Sequence, residues 1–184
     1  TDGRVFNYEV KICDDDGKDV GRNADGEIWV RGPAMMQGYR DAEQNAAAFS
    51  EEGFFKTGDI GQLLDSEAIV ITDRKKDIII RGGENLSARE IEEIVLLHPA
   101  VAEAAAVSAP HERLGEGVAV FVTIYGDKAP TLANLTELCA EQQLAKQKWP
   151  QWLSVVAEMP KTPSGKIQKA ALRAQLKEQG VQLS

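Results

Sequence analysis

The 184-residue sequence predicts an α+β chain: an all-β piece, a charged joint and a compact βαββαβα module. Three observations carry that prediction. Residues 1–72 alternate apolar and polar side chains between turn signals, the period-two pattern of half-buried strands. The cluster "DRKKD" at 73–77 breaks this pattern with an unbroken run of charge. Beyond it, capped helical stripes alternate with short apolar runs.

The elements follow in order. "VFNYEVKIC" alternates, "DDDGKDVG" turns and "GEIWVRG" alternates again. The acidic turn is not a calcium loop. With Gly17 at the sixth loop position, the first falls on Ile12, which has no side-chain oxygen to offer. "DIGQLLD" and "AIVITD" form a further strand pair. After the charged cluster, "IIIRGGEN" is a short strand running into a double glycine. "SARE" offers a capping box, Ser87 with Glu90, to a helix that aligns Ile91, Ile94 and Val95 on one face. His98-Pro99 ends this helix, which makes His98 a terminal packing residue. Two apolar strands occupy 101–107 and 118–124, and "APHERLGEG" is the loop between them. His111 in that loop has no cysteine or second histidine at ligand spacing. Thr131 caps another helix, "WLSVVAEM" reads as a strand, and 167–178 forms a final basic helix.

Composition narrows the partners. Hydrophobic residues make up 43% and charged residues 27%, a globular balance that excludes disorder. The net charge of −8 argues against nucleic acid or an anionic membrane as the main partner, so a bound anion must meet a local basic site. No apolar run reaches the ~18 residues of a membrane span. Cys13 and Cys139 show no metal or redox spacing. Cys139 lies one helical turn after Leu135 and reads as a small buried hydrophobe, so a reduced, cytoplasmic setting fits. The chain opens at Thr1 on a hairpin-like segment and reads as a piece of something longer.

One stretch points to phosphate chemistry. In "PKTPSGKIQKAAL", at 160–172, Lys166 follows a Ser-Gly step and precedes the last helix. It is not a Walker A loop, because the first glycine falls on Pro160 and the closing Ser or Thr on Ile167. Alone, Lys166 reads more readily as a solvated turn lysine. Its company changes its weight. "FFKTGD" carries Asp59, whose ionised carboxylate only accepts hydrogen bonds and so suits a ribose diol. "DRKKD" carries Arg74, a planar donor fork for ribose and phosphate oxygens. "RGGEN" carries Gly82 and Gly83, where a missing Cβ lets a narrow ligand pass close to the backbone.

In this order and spacing the motifs closely resemble the C-terminal part of the acyl-adenylate-forming superfamily. That superfamily comprises acyl-CoA synthetases, luciferases and peptide-synthetase adenylation domains. The likeness runs through "GEIWVRGPAMMQGY", "GFFKTGDIG", "ITDRKKDIIIRGGENLSAREIEE", "HPAVAEAAAV" and "PKTPSGKIQKAAL". The resemblance implies that 1–72 is a β-barrel-like remnant of the large N-terminal domain, 73–77 a hinge, and 78–184 a small α+β lid with a short sheet and packed helices. It implies that Asp59 binds the ribose hydroxyls of ATP with Arg74 assisting, and that Lys76 is the hinge residue. Gly82, Gly83 and Glu84 would line the pantetheine channel, and Lys166 would be the mobile catalytic lysine at the α-phosphate. The phosphate loop, the segment that helps hold Mg2+ and the acyl pocket would lie upstream of Thr1.

Lysine at the hinge position and "GGEN" before "SAREIEE" resemble acid–CoA ligases more than peptide-synthetase domains. Short- and medium-chain or cyclohexanecarboxylate-type ligases are the most similar. Asp73 departs from the glycine that many relatives place before the arginine. The implied reaction joins a carboxylic acid to CoA through acyl-AMP at the expense of ATP. Loading of a carrier protein, or a non-catalytic interaction role, are the alternatives.

Overall fold

The computed structural model describes residues 1–184, which form two compact units, Thr1–Lys76 and Asp77–Ser184. The fold is mixed α+β. The first unit is a five-stranded antiparallel sheet of β1 (Gly3–Arg4), β2 (Glu9–Cys13), β3 (Gly26–Arg31), β4 (Phe55–Leu63) and β5 (Ala68–Arg74). Its order is β1-β5-β4-β3-β2, so β1 and β2 are free edges and the barrel-like remnant is an open sheet. Ile12, Ile28 and Leu63 form its buried core, with Val10, Val30 and Ile69 packed against them.

Local chemistry sets the ends of these strands. The extended run before β2 is broken at Asn7, which adopts a φ of 56°. After β2, the Asp14 carboxylate accepts from the amides of Asp16 and Lys18 at 3.0 and 2.9 Å, and Gly17 supplies the positive φ of the turn. A short helix, α1 (Ala42–Ala48), lies outside the all-β expectation for this region. Asp41 caps it by accepting from the Gln44 amide at 2.9 Å, and it buries none of its residues.

The second unit carries β6 (Ile79–Arg81), β7 (Glu84–Leu86), α2 (Ala88–Val95), β8 (Val101–His111), β9 (Gly115–Ile124), α3 (Leu132–Glu141), β10 (Trp152–Val155) and α4 (Lys169–Glu178). The central strand is β9. It pairs antiparallel with β8 along its length and parallel with β10 through Ala119 to Val122. It meets β6 through Gly115 and Arg81, with β7 beyond. Alternation along β9 builds a core on each face. Val118, Val120 and Val122 pack with Ile91 and Val95 of α2 and with Leu135 and Cys139 of α3. Ala119 and Phe121 pack with Met159 and with Leu172 and Leu176 of α4. The result is helix, sheet and helix in three layers, each fully buried Leu or Val contributing about 1.5–3 kcal/mol.

Several boundaries differ from the sequence reading. The "APHERLGEG" segment is mostly strand, since β8 runs to His111 and β9 starts at Gly115. His111 is buried, and its Nδ1 accepts from the amides of Arg113 and Leu114 at 3.2 and 3.3 Å, folding the three-residue turn back on itself. Ser87 caps α2 by accepting from the Glu90 amide at 3.2 Å, but the Glu90 carboxylate pairs with Lys148 at 2.6 Å instead of completing the box. Thr131 and Asn134 make a full capping box on α3. The last helix begins at Lys169, two residues later than the pattern indicates. No helix is long and apolar enough to cross a membrane.

Candidate functional site

Asp59 and Arg74 are brought together within the first unit. They are cross-strand partners in the β4–β5 ladder, and Arg74 Nε lies 2.7 Å from Asp59 Oδ1. The Asp59 side chain is 22% exposed and that of Arg74 51%, so the pair is reachable from solvent. A carboxylate with a second oxygen free to accept, beside a planar donor, suits a ligand carrying both hydroxyls and anionic oxygens.

The backbone around the pair is tied down by side chains. The Thr57 hydroxyl donates to the Ile28 carbonyl at 2.7 Å and accepts from the Asp59 amide at 3.0 Å. Gly58, at a φ of 73°, donates its N–H to Glu27 Oε1 at 3.1 Å. The other oxygen of Glu27 accepts from Lys75 Nζ at 3.2 Å, and Asp15 lies 3.0 Å from the same ammonium. Burial works to lower the Lys75 pKa, but hydrogen bonds to Asp15 and Glu27 carry it above the ordinary lysine value. Lys75, Lys76 and Asp77 form a single 3₁₀ turn, and the Lys76 side chain is exposed and makes no ion pair.

In the second unit, Gly82 and Gly83 form the turn of the β6–β7 hairpin, with φ values of 60° and 87°. Two consecutive positive φ values define the tight hairpin turn that matches strand twist. The Gly82 amide donates to the Leu114 carbonyl at 2.9 Å, and a Cβ on Gly82 would stand 3.3 Å from the Leu114 side chain. A Cβ on Gly83 would meet open space. Glu84, the cross-strand partner of Arg81, is exposed.

Lys166 lies on a turn of its own. Lys161 bridges to Ile167, the Thr162 amide donates to the Lys166 carbonyl at 2.8 Å, and the Lys166 amide donates to the Thr162 hydroxyl at 3.1 Å. Gly165, at a φ of 83°, closes the loop. These bonds hold Ile167 in the hairpin, so Lys166 stands three residues before α4 and not at its head. A dipole contribution from that helix end falls off within the first turn and does not reach the lysine. The neighbouring cations are neutralised: Lys161 pairs with Glu103 at 2.6 Å and Lys169 with Glu92 at 2.8 Å. The Lys166 side chain is exposed and has no such partner.

The sequence reading passed over three residues that hold these parts in place. Glu27 could have been flagged as a carboxylate inside an alternating strand. Glu92 and Lys169 gave no signal, because their pairing depends on how α2 and α4 pack. No group of three or more His, Cys, Asp and Glu side chains is gathered to hold a metal ion.

The family model for the AMP-binding enzyme C-terminal domain matches residues 90–166, and that for the AMP-binding enzyme matches residues 2–40. The medium-chain fatty-acid–CoA ligase of Escherichia coli is 41% identical over 179 residues, covering 94% of this chain and 31% of the relative. The 2,3-dihydroxybenzoate-AMP ligase of Bacillus subtilis is 43% identical over 171 residues, covering 92% and 32%. The crystal structure of ATP-bound MatB from Rhodopseudomonas palustris superposes with a TM-score of 0.86 at 33% identity, covering 95% of this chain and 35% of that one. The chain thus spans about a third of the length of the relatives it matches. With both family models aligned in chain order and identity near 40% along nearly its whole length, the chain belongs to the AMP-binding enzyme family.

Proposed function

We propose that this chain is the C-terminal part of an acid–CoA ligase. Residues 1–72 would be the distal β-rich part of the large adenylation domain, 73–77 the hinge and 78–184 the lid. In the first half-reaction a carboxylate oxygen attacks the α-phosphorus of ATP, and the bond to pyrophosphate breaks. In the second, the sulfur of CoA attacks the acyl carbon and AMP leaves.

Each candidate residue has a role in this reading. Asp59 accepts from the ribose diol, and Arg74 orients the carboxylate while offering its remaining N–H groups to the nucleotide. Lys166 places a cation where negative charge grows in the first transition state. The chain pivots at Lys76, and the turn of Gly82, Gly83 and Glu84 lines the path of the pantetheine arm. Magnesium would enter with ATP and is assigned no step. The free thiols of Cys13 and Cys139, both buried, fit a reducing cytoplasmic setting.

The observation that carries the reading is the state of the three lysines around the 162–166 turn. Two are neutralised by glutamates, while Lys166 is presented on a hydrogen-bonded loop with its charge unspent. A solvated turn would not need that rigidity. A second reading is favoured by the 43% identity to a protein named as an AMP ligase: the acyl group passes to a carrier protein in place of free CoA.

The test uses the full-length protein and a panel of carboxylic acids. Acid-dependent exchange of pyrophosphate into ATP supports adenylation, and its absence across the panel refutes it in favour of a non-catalytic role. Supplying CoA and a pantetheinylated carrier in separate reactions then identifies the acceptor.

A further inference from the structure

The Glu27 carboxylate is more than a strand side chain. It is 8% exposed, yet it sits where the β3–β4 register slips between Glu27 and Trp29. Its two oxygens reach distant parts of the first unit: the Gly58 amide, 31 residues on, and the Lys75 ammonium, 48 residues on. Those two residues flank the candidate nucleotide pair, Gly58 preceding Asp59 and Lys75 following Arg74. One buried carboxylate therefore grips the residue next to each member of a 2.7 Å ion pair, Gly58 by its backbone amide and Lys75 by its side-chain ammonium. A buried charge is costly compared with a well-packed apolar side chain, and its best-attested use is to fix geometry. Lys76, the next residue, makes no ion pair and no side-chain hydrogen bond, and ties resume at Asp77, which pairs with Arg173 at 3.4 Å.

We propose that Glu27 is the positioning residue of the nucleotide site, holding the Gly58 backbone on one side of the Asp59–Arg74 pair and the Lys75 side chain on the other, and making Lys75 the last tethered residue before the pivot. This rests on the reading of Asp59 and Arg74 as nucleotide ligands and of Lys76 as the hinge. Two variants separate the arms of the bracket. Glu27→Gln keeps an oxygen for the Gly58 amide but withdraws the buried negative charge from Lys75, leaving it only Asp15, whose side chain is 83% exposed and whose pairing solvent screens. Glu27→Ala removes both.

The variants are made in the full-length protein, and two quantities are read. Tryptic nicking under native conditions, located by mass spectrometry, reports whether Lys75 is tethered. Acid-dependent pyrophosphate exchange reports KM for ATP and kcat. In Glu27→Gln, nicking after Lys75 rises roughly tenfold, the size expected when a charge-assisted hydrogen bond is lost, and KM for ATP rises about threefold. In Glu27→Ala, nicking rises likewise and KM for ATP rises about tenfold, with kcat changed much less. Wild-type nicking in Glu27→Gln, or an unchanged KM in Glu27→Ala, overturns the proposal. So does a parallel fall of kcat and melting temperature without the split in KM, which would mark a purely structural carboxylate. If the wild-type protein shows no exchange at all, the ligase reading fails, and the nicking measurement still decides whether Glu27 tethers Lys75.

Discussion

Replacing Glu92 by glutamine tests what holds the Lys166 turn to its unit. Glu92 Oε1 lies 2.8 Å from Lys169 Nζ and accepts the Ala106 amide of β8 at 2.7 Å, so one side chain joins α2, β8 and the first residue of α4. Both partners of the ion pair are 16% exposed at the side chain. Removing one partner of a fully buried pair costs about 3–5 kcal/mol. The residual exposure lets the long lysine stem turn its head toward water, which lowers the expected loss to about 2–3 kcal/mol. Glutamine retains an acceptor for the Ala106 amide. Glu92→Ala does not, and it should cost at least about 1 kcal/mol more for the orphaned donor.

A chain of two units is not expected to melt as one transition, so a probe confined to the second unit is required. Cys139 is that probe, being fully buried in the core shared by α2, α3 and β9. Pulsed alkylation of Cys139 along a thermal ramp reads the unfolding of its unit alone. For a unit of about a hundred residues the stated loss lowers the midpoint by about 10 °C. A Glu92→Gln midpoint within about 2 °C of wild type would refute the reasoning, because the pair would then be no better than an exposed one.

The remaining expectations concern the site and the pH axis. Lys166→Ala lowers pyrophosphate exchange by roughly 10²–10³-fold and spares thioester formation from supplied acyl-AMP, whereas Gly83→Leu does the reverse; loss of both steps in both variants would contradict separate roles. Asp59→Ala raises KM for ATP more than KM for CoA, and it does so without lowering the melting temperature of the first unit, as ATP kinetics beside thermal melts will show. Lys76→Pro fixes φ and removes an amide donor, so it suppresses CoA-ester production while Lys76→Ala is mild; equal production by wild type and the proline variant would place the pivot elsewhere. Burial raises the thiols of Cys13 and Cys139 above their ordinary value of 9.0. Their contribution to stability is therefore complete below about pH 9 and is lost as pH climbs through the raised values, which urea titrations on the alkaline side will register.

Much of the second unit was legible because its signals are local. The Ser87 and Thr131 caps, the apolar stripe of Ile91 and Val95, and the runs that became β8 and β9 each declare themselves within a few residues. The double glycine also contained more than was read from it. Between Arg81 and Glu84 it is a two-residue hairpin signature, and β7 could have been placed from it. Helix α1 was not legible by period, since it buries nothing and so has no apolar stripe. Only Asp41 and the alanine run hinted at it. The strand extension through Pro110 and His111 was hidden because proline and glycine ordinarily mark turns. Within the site, residue types pointed to Asp59, Arg74 and Lys166 as candidates. The side chains that hold them, Glu27 and Glu92, act over long sequence separations that no local pattern encodes.

Strand β8 carries a liability that its surroundings answer. It has eleven residues, six of them alanine or valine in the run from Val101 to Val107, and it pairs with β9 on one side only. An open apolar edge of that length is a template for strands of other molecules. Here the edge is blocked piece by piece. The Ala106 amide is taken by Glu92, the Pro110 nitrogen has no hydrogen to offer, and the Pro110 carbonyl accepts the Leu183 amide at 2.8 Å. The Glu103–Lys161 pair adds charge beside it. Colloidal behaviour thus depends on the docking of α2 and of the last residues of the chain. A preparation trimmed past Leu183, or one in which α4 has frayed, should form intermolecular β-structure long before its core has melted.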